Sequence, residues 1–202
     1  MTTESQRKPR IAILASGNGT NAEHIVRHLA QRGTVEVAAV ISNKANAPVI
    51  GRLEPLGIQA TVIDDREAWR HPDAISAHLQ SLGVDLIVLA GFLAIVREPL
   101  LSDFSGRIIN IHPSLLPRHG GPGMWGIHVH EAVLAAGDSE SGITIHSIDA
   151  TVDGGTIVEQ HSCPVLEGDT PETLAKRVHG LEYEFFPAAV ERLATEAAKA
   201  RK

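Results

Sequence analysis

Two side chains that could perform acid–base chemistry lie two positions apart at the end of an apolar segment. Asn110 and His112 follow the β-branched apolar pair at 108–109 and precede Pro113, a pattern typical of a buried strand that ends at its carboxyl edge. In open α/β sheets this edge is where ligands bind. Alternate side chains of a strand point to the same face. The spacing therefore predicts that the amide and the imidazole share one pocket.

A third polar candidate, Asp153, belongs to an Asp-Gly-Gly turn. An Asn amide can stabilise an oxyanion, a His can move a proton, and an Asp raises the pKa of a neighbouring His by favouring its charged form. This set favours a reaction in which a bound substrate supplies the nucleophile. Ser114 lies in no recognised nucleophile motif, which favours a turn hydroxyl. Taken singly, His112 could cap the turn and Asp153 could simply form one.

A glycine-rich turn near the N-terminus is a candidate anion site. The sequence Ser-Gly-Asn-Gly-Thr-Asn at 16–21 follows an apolar strand and precedes a helix that ends at Gly33. Backbone N–H groups and the positive end of a helix converge at such turns and can bind phosphate. The turn lacks the third glycine of the dinucleotide motif and the Gly-Lys-Ser/Thr of a Walker loop. Locally an ordinary tight connection fits equally well, but the position after the first strand favours phosphate.

Strand and helix patterns alternate along the first half of the chain. This alternation predicts a doubly wound, mostly parallel α/β sheet with right-handed crossovers. The strands are predicted at 10–15, 35–41, 58–63, 84–90 and in the segment that carries Asn110. The fourth is almost uninterrupted in apolar character, so it should be central. The apolar turn at 91–96 that follows it could be a pocket wall for a flat ring or a plug over the core.

The pattern changes after Pro117. A glycine-rich loop at 118–126 precedes a helix, and an antiparallel hairpin is predicted from strands at 142–148 and 156–165, because Asp-Gly-Gly is a strong turn signal. A long amphipathic helix follows, with Thr170 as its cap and Pro171 in its first turn.

Length and charge restrict the class of protein. The chain has 202 residues, of which 43% are hydrophobic and 21% charged, with a net charge of -6. This is enough for one well-buried domain and short for two, so 1–202 is interpreted as one domain with 1–9 as a disordered tail. An acidic chain without a Lys/Arg-rich run is an unsuitable partner for nucleic acid. Small-molecule partners are expected, with a monomer or homodimer as the assembly.

The cysteine and histidine content argues against a metal site and a disulfide framework. Cys163 is the only cysteine, which leaves no disulfide and no cysteine zinc site. His24 and His28 lie four apart on a predicted helix but lack the glutamate of a zincin motif, so no metal is expected. The longest apolar runs have strand length, and no signal peptide is apparent. These features predict a cytoplasmic protein without membrane association.

Several segments closely resemble the phosphoribosylglycinamide formyltransferases, the folate-dependent enzymes of purine synthesis. They are Ser-Gly-Asn-Gly-Thr-Asn at 16–21, Ser-Asn-Lys at 42–44, Leu-Ala-Gly-Phe at 89–92, Asn-Ile-His-Pro-Ser-Leu-Leu-Pro at 110–117 and Asp-Gly-Gly at 153–155. The match runs in order from about residue 10 to 193. It implies a formyltransferase-like fold with a Rossmann-type N-terminal half, and transfer of a formyl group from the co-substrate 10-formyltetrahydrofolate to the amine of glycinamide ribonucleotide.

The resemblance also assigns site residues by position. Asn110 and His112 match the catalytic amide and the proton-transferring histidine, and Asp153 matches the carboxylate that raises the pKa of that histidine. The ribonucleotide contacts implied are Gly19, Thr20 and Asn21 at the phosphate end, together with His179 and Glu182. The folate contacts implied are Arg66, Leu93, Ala94, Ile95, Val96, Asn110, Asp149, Ala150, Thr151, Val152 and Asp153.

The chain departs from the family pattern at two places. Ala94 stands where related enzymes often have Arg, so only the backbone of that turn is expected to contact folate. The loop at 118–126 is longer and richer in glycine than is typical between the catalytic block and the next helix.

Three other functions are alternatives to this one. Formyltetrahydrofolate deformylase, a hydrolase, has a similar catalytic domain but usually an added N-terminal domain and a His-His-Ser-Phe type block. Methionyl-tRNA formyltransferase has an added C-terminal RNA-binding domain, which this acidic chain is not expected to carry. A non-catalytic nucleotide-binding module would not need Asn110, His112 and Asp153 together.

Overall fold

The computed structural model describes residues 7–201, and these form one seven-stranded sheet in the order β3-β2-β1-β4-β5-β6-β7. The first five strands run parallel, and β6 and β7 are antiparallel to their neighbours. The strands are β1 (Arg10–Ala15), β2 (Glu36–Ser42), β3 (Thr61–Val62), β4 (Leu86–Leu89), β5 (Ile108–His112), β6 (Glu140–Ser147) and β7 (Ile157–Pro164). The predicted mixed sheet with a C-terminal antiparallel hairpin is confirmed, and β4 is central.

Helices cover both faces of this sheet. They are α1 (Thr20–Arg32), α2 (Val49–Leu53), α3 (Arg66–Arg70), α4 (Asp73–Ser81), α5 (Leu100–Asp103), α6 (Ile127–Ala135) and α7 (Pro171–Ala200). Helix α7 begins with a capping box, in which the Thr170 side chain accepts from the backbone N–H of Thr173 and the Thr173 side chain accepts from that of Thr170. This pair satisfies backbone N–H groups that have no partner within the helix.

Alternation along β1 divides the core into two apolar layers. Ile11 and Ile13 face one layer, which α1 and α7 cover, whereas Ala12 and Leu14 face the other, which α3, α4 and α5 cover. All four side chains are buried. A strand buried on both faces is typical of the parallel part of an α/β sheet. Because β1, β4 and β5 are parallel neighbours, their carboxyl ends lie at one edge of the sheet.

Two expectations need correction. The third strand, predicted at 58–63, is only Thr61–Val62, and both residues are exposed. It is an edge strand paired with β2 alone, so little packing stabilises a longer one. Of the predicted tail at 1–9, residues 1–6 lie outside the described residues. Arg7 is held by Asp85 Oδ1, to which its guanidinium donates at 2.8 Å, and Pro9 O accepts from Glu36 N at 2.8 Å.

No helix within residues 7–201 has both the length and the apolar character needed to cross a bilayer.

Candidate active site

Asn110 and His112 share one cleft, as their spacing predicts. Both line a cavity of about 430 Å³ at the carboxyl edge of the sheet, together with Asp153. Both residues lie on strand β5, which is parallel to β4 on one side and antiparallel to β6 on the other. Three polar groups that are distant in the sequence therefore meet at the end of a buried strand.

Both ring nitrogens of His112 have polar neighbours. Its side chain is buried, with the residue 3% exposed. Nε2 donates to the carbonyl of His119 at 2.8 Å, and Nδ1 lies 3.5 Å from Oδ1 of Asp153. A carbonyl oxygen can only accept, so Nε2 carries a proton in this arrangement. The carboxylate beside Nδ1 can only accept, so it is a suitable neighbour for an N–H at that nitrogen.

The Asp153 turn has a conformation that its neighbouring glycines permit. Asp153 itself adopts a positive φ of 54°, and Gly155 one of 92°. A Cβ on Gly155 would collide with the carbonyl of Ser147, so glycine is required there. The carboxylate accepts from the backbone N–H of Gly121 at 2.8 Å.

The pKa of Asp153 lies below its ordinary value. Burial raises this pKa, but the hydrogen bond and charge of His112 lower it, and so does the N–H of Gly121. The lowering contributions prevail, so this half-buried carboxyl is held in its charged form beside His112.

A histidine that the sequence reasoning missed contacts the Asn110 amide. His146 pairs with Asn110 across β5 and β6, and Asn110 Nδ2 lies 3.1 Å from His146 Nε2. Alternation along β6 could have placed His146 on the same face as Thr144. The alternation along β6 does not predict which residue of β5 lies opposite His146, because a long connection separates the two strands.

The first cleft is bounded by the glycine-rich turn and by α7. All five residues that the family resemblance assigns to the ribonucleotide line it. The carboxylate of Glu182, in a residue only 6% exposed, accepts from Asn21 Nδ2 at 2.9 Å. Burial raises the pKa of Glu182, while Asn21 and the charges of His179 and His112 oppose that effect.

Gly19 is the residue that lets the turn approach α2. It lies directly before α1 with a φ of 72°, and a Cβ at this position would come within 2.8 Å of the Cα of Val49. Its carbonyl accepts from Glu23 N at 2.9 Å. The turn therefore leads into α1 with its backbone close to the cleft, as an anion site requires.

His130 also lines the first cleft and was not singled out from the sequence. It lies on α6 and is 1% exposed, and its Nδ1 has no hydrogen-bond partner among residues 7–201. Burial, followed by the charges of His179 and His112, lowers the pKa of His130 to about 4. The ring is therefore neutral near pH 7 and keeps a free polar atom.

A second cavity, of about 390 Å³, adjoins the first and shares Asn110 and Asp153 with it. The turn at 93–96 and the loop at 149–153 line it. Leu93 and Ile95 are 48% and 55% exposed, which favours the pocket-wall interpretation of this apolar turn over a core plug. Phe92 and Val96 beside them are buried.

Arg66 does not line the second cavity. It borders a separate depression of about 550 Å³ with Lys44, Arg70 and Arg97. Ala94 and Ile95 line both the depression and the second cavity, so the two are adjacent. The structure thus places Arg66, on α3, beside Ala94 and Ile95 of the predicted folate set but not in the cavity that the loop at 149–153 lines.

Two residues of the glycine-rich loop at 118–126 reach both cavities. Met124 and Trp125 line each of them, and Trp125 is 52% exposed with its ring edge-on to His128 at 5.3 Å between centroids. From the sequence, only the length and the glycine content of this loop were notable. A large exposed aromatic ring at the rim of a cavity is a typical ligand-contacting feature.

The remaining polar candidates have structural partners. His24 stacks on Tyr183 of α7 with centroids 4.1 Å apart, and Nε2 of His28 lies 2.7 Å from Glu191 Oε2. Ser114 is fully buried, and its hydroxyl donates to the carbonyl of Arg118 at 2.7 Å. The turn-hydroxyl interpretation of Ser114 is therefore confirmed.

The fold is that of a formyl transferase. Residues 9–190 match the family model described as formyl transferase, and the chain belongs to that family. It is 37% identical over 187 residues to the phosphoribosylglycinamide formyltransferase of Haemophilus influenzae, which covers 90% of this chain and 85% of that protein. A glycinamide ribonucleotide transformylase 1 of Symbiobacterium toebii is 36% identical with a TM-score of 0.83, covering 97% of this chain and 92% of that one.

A second kind of relative is much longer. The chain is 39% identical over 199 residues to the trifunctional purine biosynthetic protein adenosine-3 of Drosophila pseudoobscura pseudoobscura. The matched region covers 96% of this chain but spans only 14% of that protein's length.

Proposed function

We propose that this protein transfers the formyl group of 10-formyltetrahydrofolate to the amine of glycinamide ribonucleotide. The observation that carries the proposal is that two cavities meet at Asn110 and Asp153, beside His112. A bimolecular transfer needs two substrates held with their reacting atoms in contact. Membership of the family and the names of its relatives support this choice of substrates.

The ribonucleotide would occupy the first cavity. Its phosphate fits the turn at Gly19, Thr20 and Asn21, where the N-terminus of α1 favours an anion. Glu182 and His179 lie on α7 and line the same cavity, with Glu182 bonded to Asn21 of the turn, and a carboxylate and an imidazole there can bind hydroxyl groups. The amine would then lie towards His112.

The folate would occupy the second cavity. Its flat ring fits the apolar wall formed by Leu93, Ala94, Ile95 and Val96, while backbone groups of the loop formed by Asp149, Ala150, Thr151, Val152 and Asp153 offer hydrogen bonds. The side chain of Ala94 has no polar group, so this turn contributes backbone contacts only. Arg66, in the adjacent depression, would meet only the distal, acidic end of the co-substrate.

The proposed reaction uses the three polar groups in turn. The substrate amine attacks the formyl carbon, and the Asn110 amide N–H stabilises the oxyanion that forms. The new C–N bond remains, the bond to N10 of the folate breaks, and His112 carries the amine proton to that leaving nitrogen. The carboxylate of Asp153 stabilises positive charge on His112. In the structure, Nε2 is bound to His119 O, so proton delivery from Nε2 requires that this bond be exchanged for one to the substrate.

We further propose that the protein is a cytoplasmic enzyme of one domain that acts as a monomer or homodimer. It needs no metal and binds neither nucleic acid nor membrane. A single cysteine, Cys163, is consistent with a reducing compartment.

The test is release of tetrahydrofolate from 10-formyltetrahydrofolate by the purified protein, with and without glycinamide ribonucleotide. Release that requires the ribonucleotide supports the transferase. Equal release without the amine would reject it in favour of a formyltetrahydrofolate hydrolase, and no release under either condition would favour a non-catalytic binding module.

A further inference from the structure

We propose that His146 is a positioning residue that fixes the orientation of the Asn110 amide. This inference rests on the proposed function, because it assumes that Asn110 stabilises the oxyanion. His146 is buried, with the residue 1% exposed, it lines the second cavity, and it lies directly opposite Asn110 in the β5–β6 pair. Its ring reaches the Asn110 amide at one nitrogen and the Asp153 turn at the other.

The surroundings of His146 select one tautomer. Nδ1 lies 2.9 Å from the carbonyl oxygen of Ser147 and 2.9 Å from that of Gly154. Carbonyl oxygens accept and never donate, so Nδ1 must carry a proton. In the neutral ring Nε2 then has a lone pair, and this lone pair faces Asn110.

The tautomer of His146 in turn orients the amide. Asn110 must direct an N–H at the lone pair on Nε2, which agrees with the 3.1 Å separation of Asn110 Nδ2 and His146 Nε2. A flipped amide would place its oxygen against that lone pair, which is repulsive. No other side-chain hydrogen bond holds this amide in the described part of the chain, so His146 alone decides which way the nitrogen points. The second N–H of Asn110 then remains for the oxyanion.

The same turn supports both catalytic side chains. Asp153 contacts His112, and the carbonyl of the next residue, Gly154, accepts from His146. The turn conformation therefore sets the charge beside the proton carrier and, through His146, the orientation of the amide. A purely structural role for His146 would need only the contact with the turn.

Two substitutions separate these two contacts. His146→Asn places a side-chain amide near the position of Nδ1, so it can still donate to the turn but cannot reach Asn110. His146→Gln places its amide near the position of Nε2, so it can accept from Asn110 but loses the bond to the turn. Circular dichroism and thermal unfolding of both variants establish that they fold.

We expect His146→Asn to lower kcat by about 10- to 100-fold with KM changed by less than about threefold, because misorienting an oxyanion donor removes stabilisation made only in the transition state. His146→Gln should stay within about fivefold of the wild-type kcat. The opposite order of the two variants would overturn the proposal, since it would show that only the turn contact matters.

A double-mutant cycle tests whether His146 acts through Asn110. In an Asn110→Ala background, His146→Asn should lower kcat by less than about twofold further, because the amide it orients is gone. Full additivity of the two losses would mean that His146 acts independently of Asn110 and would overturn the inference.

A measurement without turnover keeps the inference distinct from the proposed function. Nitrogen-15 NMR of the His146 ring should show the Nδ1–H tautomer at neutral pH, and His146→Asn should shift the side-chain amide signal of Asn110 while His146→Gln shifts it less. An Nε2–H tautomer would overturn the positioning role even in an active enzyme. A further outcome is the expected tautomer in the wild type, and the expected amide shifts in the variants, without any formyl transfer. In that case the proposed function fails and the positioning of Asn110 stands.

Discussion

The carboxylate of Asp153 lies 3.5 Å from Nδ1 of His112, and this pair joins the end of β5 to the turn between β6 and β7. Burial raises the pKa of Asp153, yet the neighbouring His112 and the N–H of Gly121 hold it below its ordinary value. The carboxylate therefore stays ionised throughout the neutral range, where it can stabilise a proton on the ring.

Asp153→Asn should lower kcat by about 100-fold or more, because a neutral amide cannot stabilise the charged ring of His112 during proton transfer. The measurement is tetrahydrofolate release with both substrates at saturation. Asp65→Asn, at a position outside both cavities, is the control. Its Oδ1 accepts from Glu67 N, a bond that an Asn oxygen can also accept, so kcat should stay close to wild type. A kcat for Asp153→Asn within threefold of wild type would remove the carboxylate from the mechanism.

The sequence predicted those parts of the fold that local patterns determine. The apolar runs of β1 and β4 are buried on both faces, and Gly33 ends α1 in the left-handed conformation that its position suggests. The spacing of Asn110 and His112 was enough to place them in one cleft, because strand geometry fixes which side chains share a face.

Other features depend on packing that no local pattern contains. The third strand is limited to two residues because it has one partner and no cover. The contact between Asn110 and His146 depends on the register of β5 with β6. The glycine-rich loop at 118–126 and α6 separate these two strands in the sequence, so no local pattern predicts that register. The burial that lowers the pKa of His130 likewise arises from helix packing, and a single His in a helical sequence gives no sign of it.

His130 should make stability depend on pH. Its pKa is lowered from 6.5 to about 4, so the unfolded chain binds a proton more readily between these values. The stabilisation is complete above pH 6.5 and is lost as pH falls towards 4, by roughly 3 kcal/mol in total from this group. His130→Gln cannot titrate, so its free energy of unfolding should decline less over this interval. Urea unfolding at several pH values between 4 and 7.5 measures the difference.

His128→Gln is the control for that experiment. His128 lies on the same helix, but its side chain is exposed and close to Glu131. Its substitution should leave the pH dependence of unfolding close to that of the wild type. Equal slopes for His130→Gln and the wild type would contradict the assignment of a buried neutral ring.

Gly19→Ala should destabilise the protein by about 2 kcal/mol, because the new Cβ would meet the backbone of Val49 and the left-handed φ disfavours any side chain. It should also raise KM for the ribonucleotide, since the turn that would bind the phosphate must shift. Gly17→Ala, in the same turn, has open space around its Cβ and should change the free energy of unfolding by less than about 0.5 kcal/mol. Similar destabilisation by both variants would show that neither glycine position tolerates a side chain and that the contact with Val49 is not the cause.

Glu182→Gln should affect stability and binding in opposite directions. Burial raises the pKa of Glu182 above its ordinary value of 4.5, so the contribution of this group to stability is present below 4.5 and is lost as pH rises through the raised value. A Gln does not ionise, and we expect a gain of about 1 kcal/mol at pH 8. The same change removes a charged acceptor from the ribonucleotide cavity and should raise KM for the ribonucleotide about tenfold.

Glu184→Gln, on the exposed side of α7, is the control and should change neither the stability nor the KM. A loss of stability at pH 8 for Glu182→Gln would mean that the Asn21 bond outweighs the penalty of burying the carboxylate.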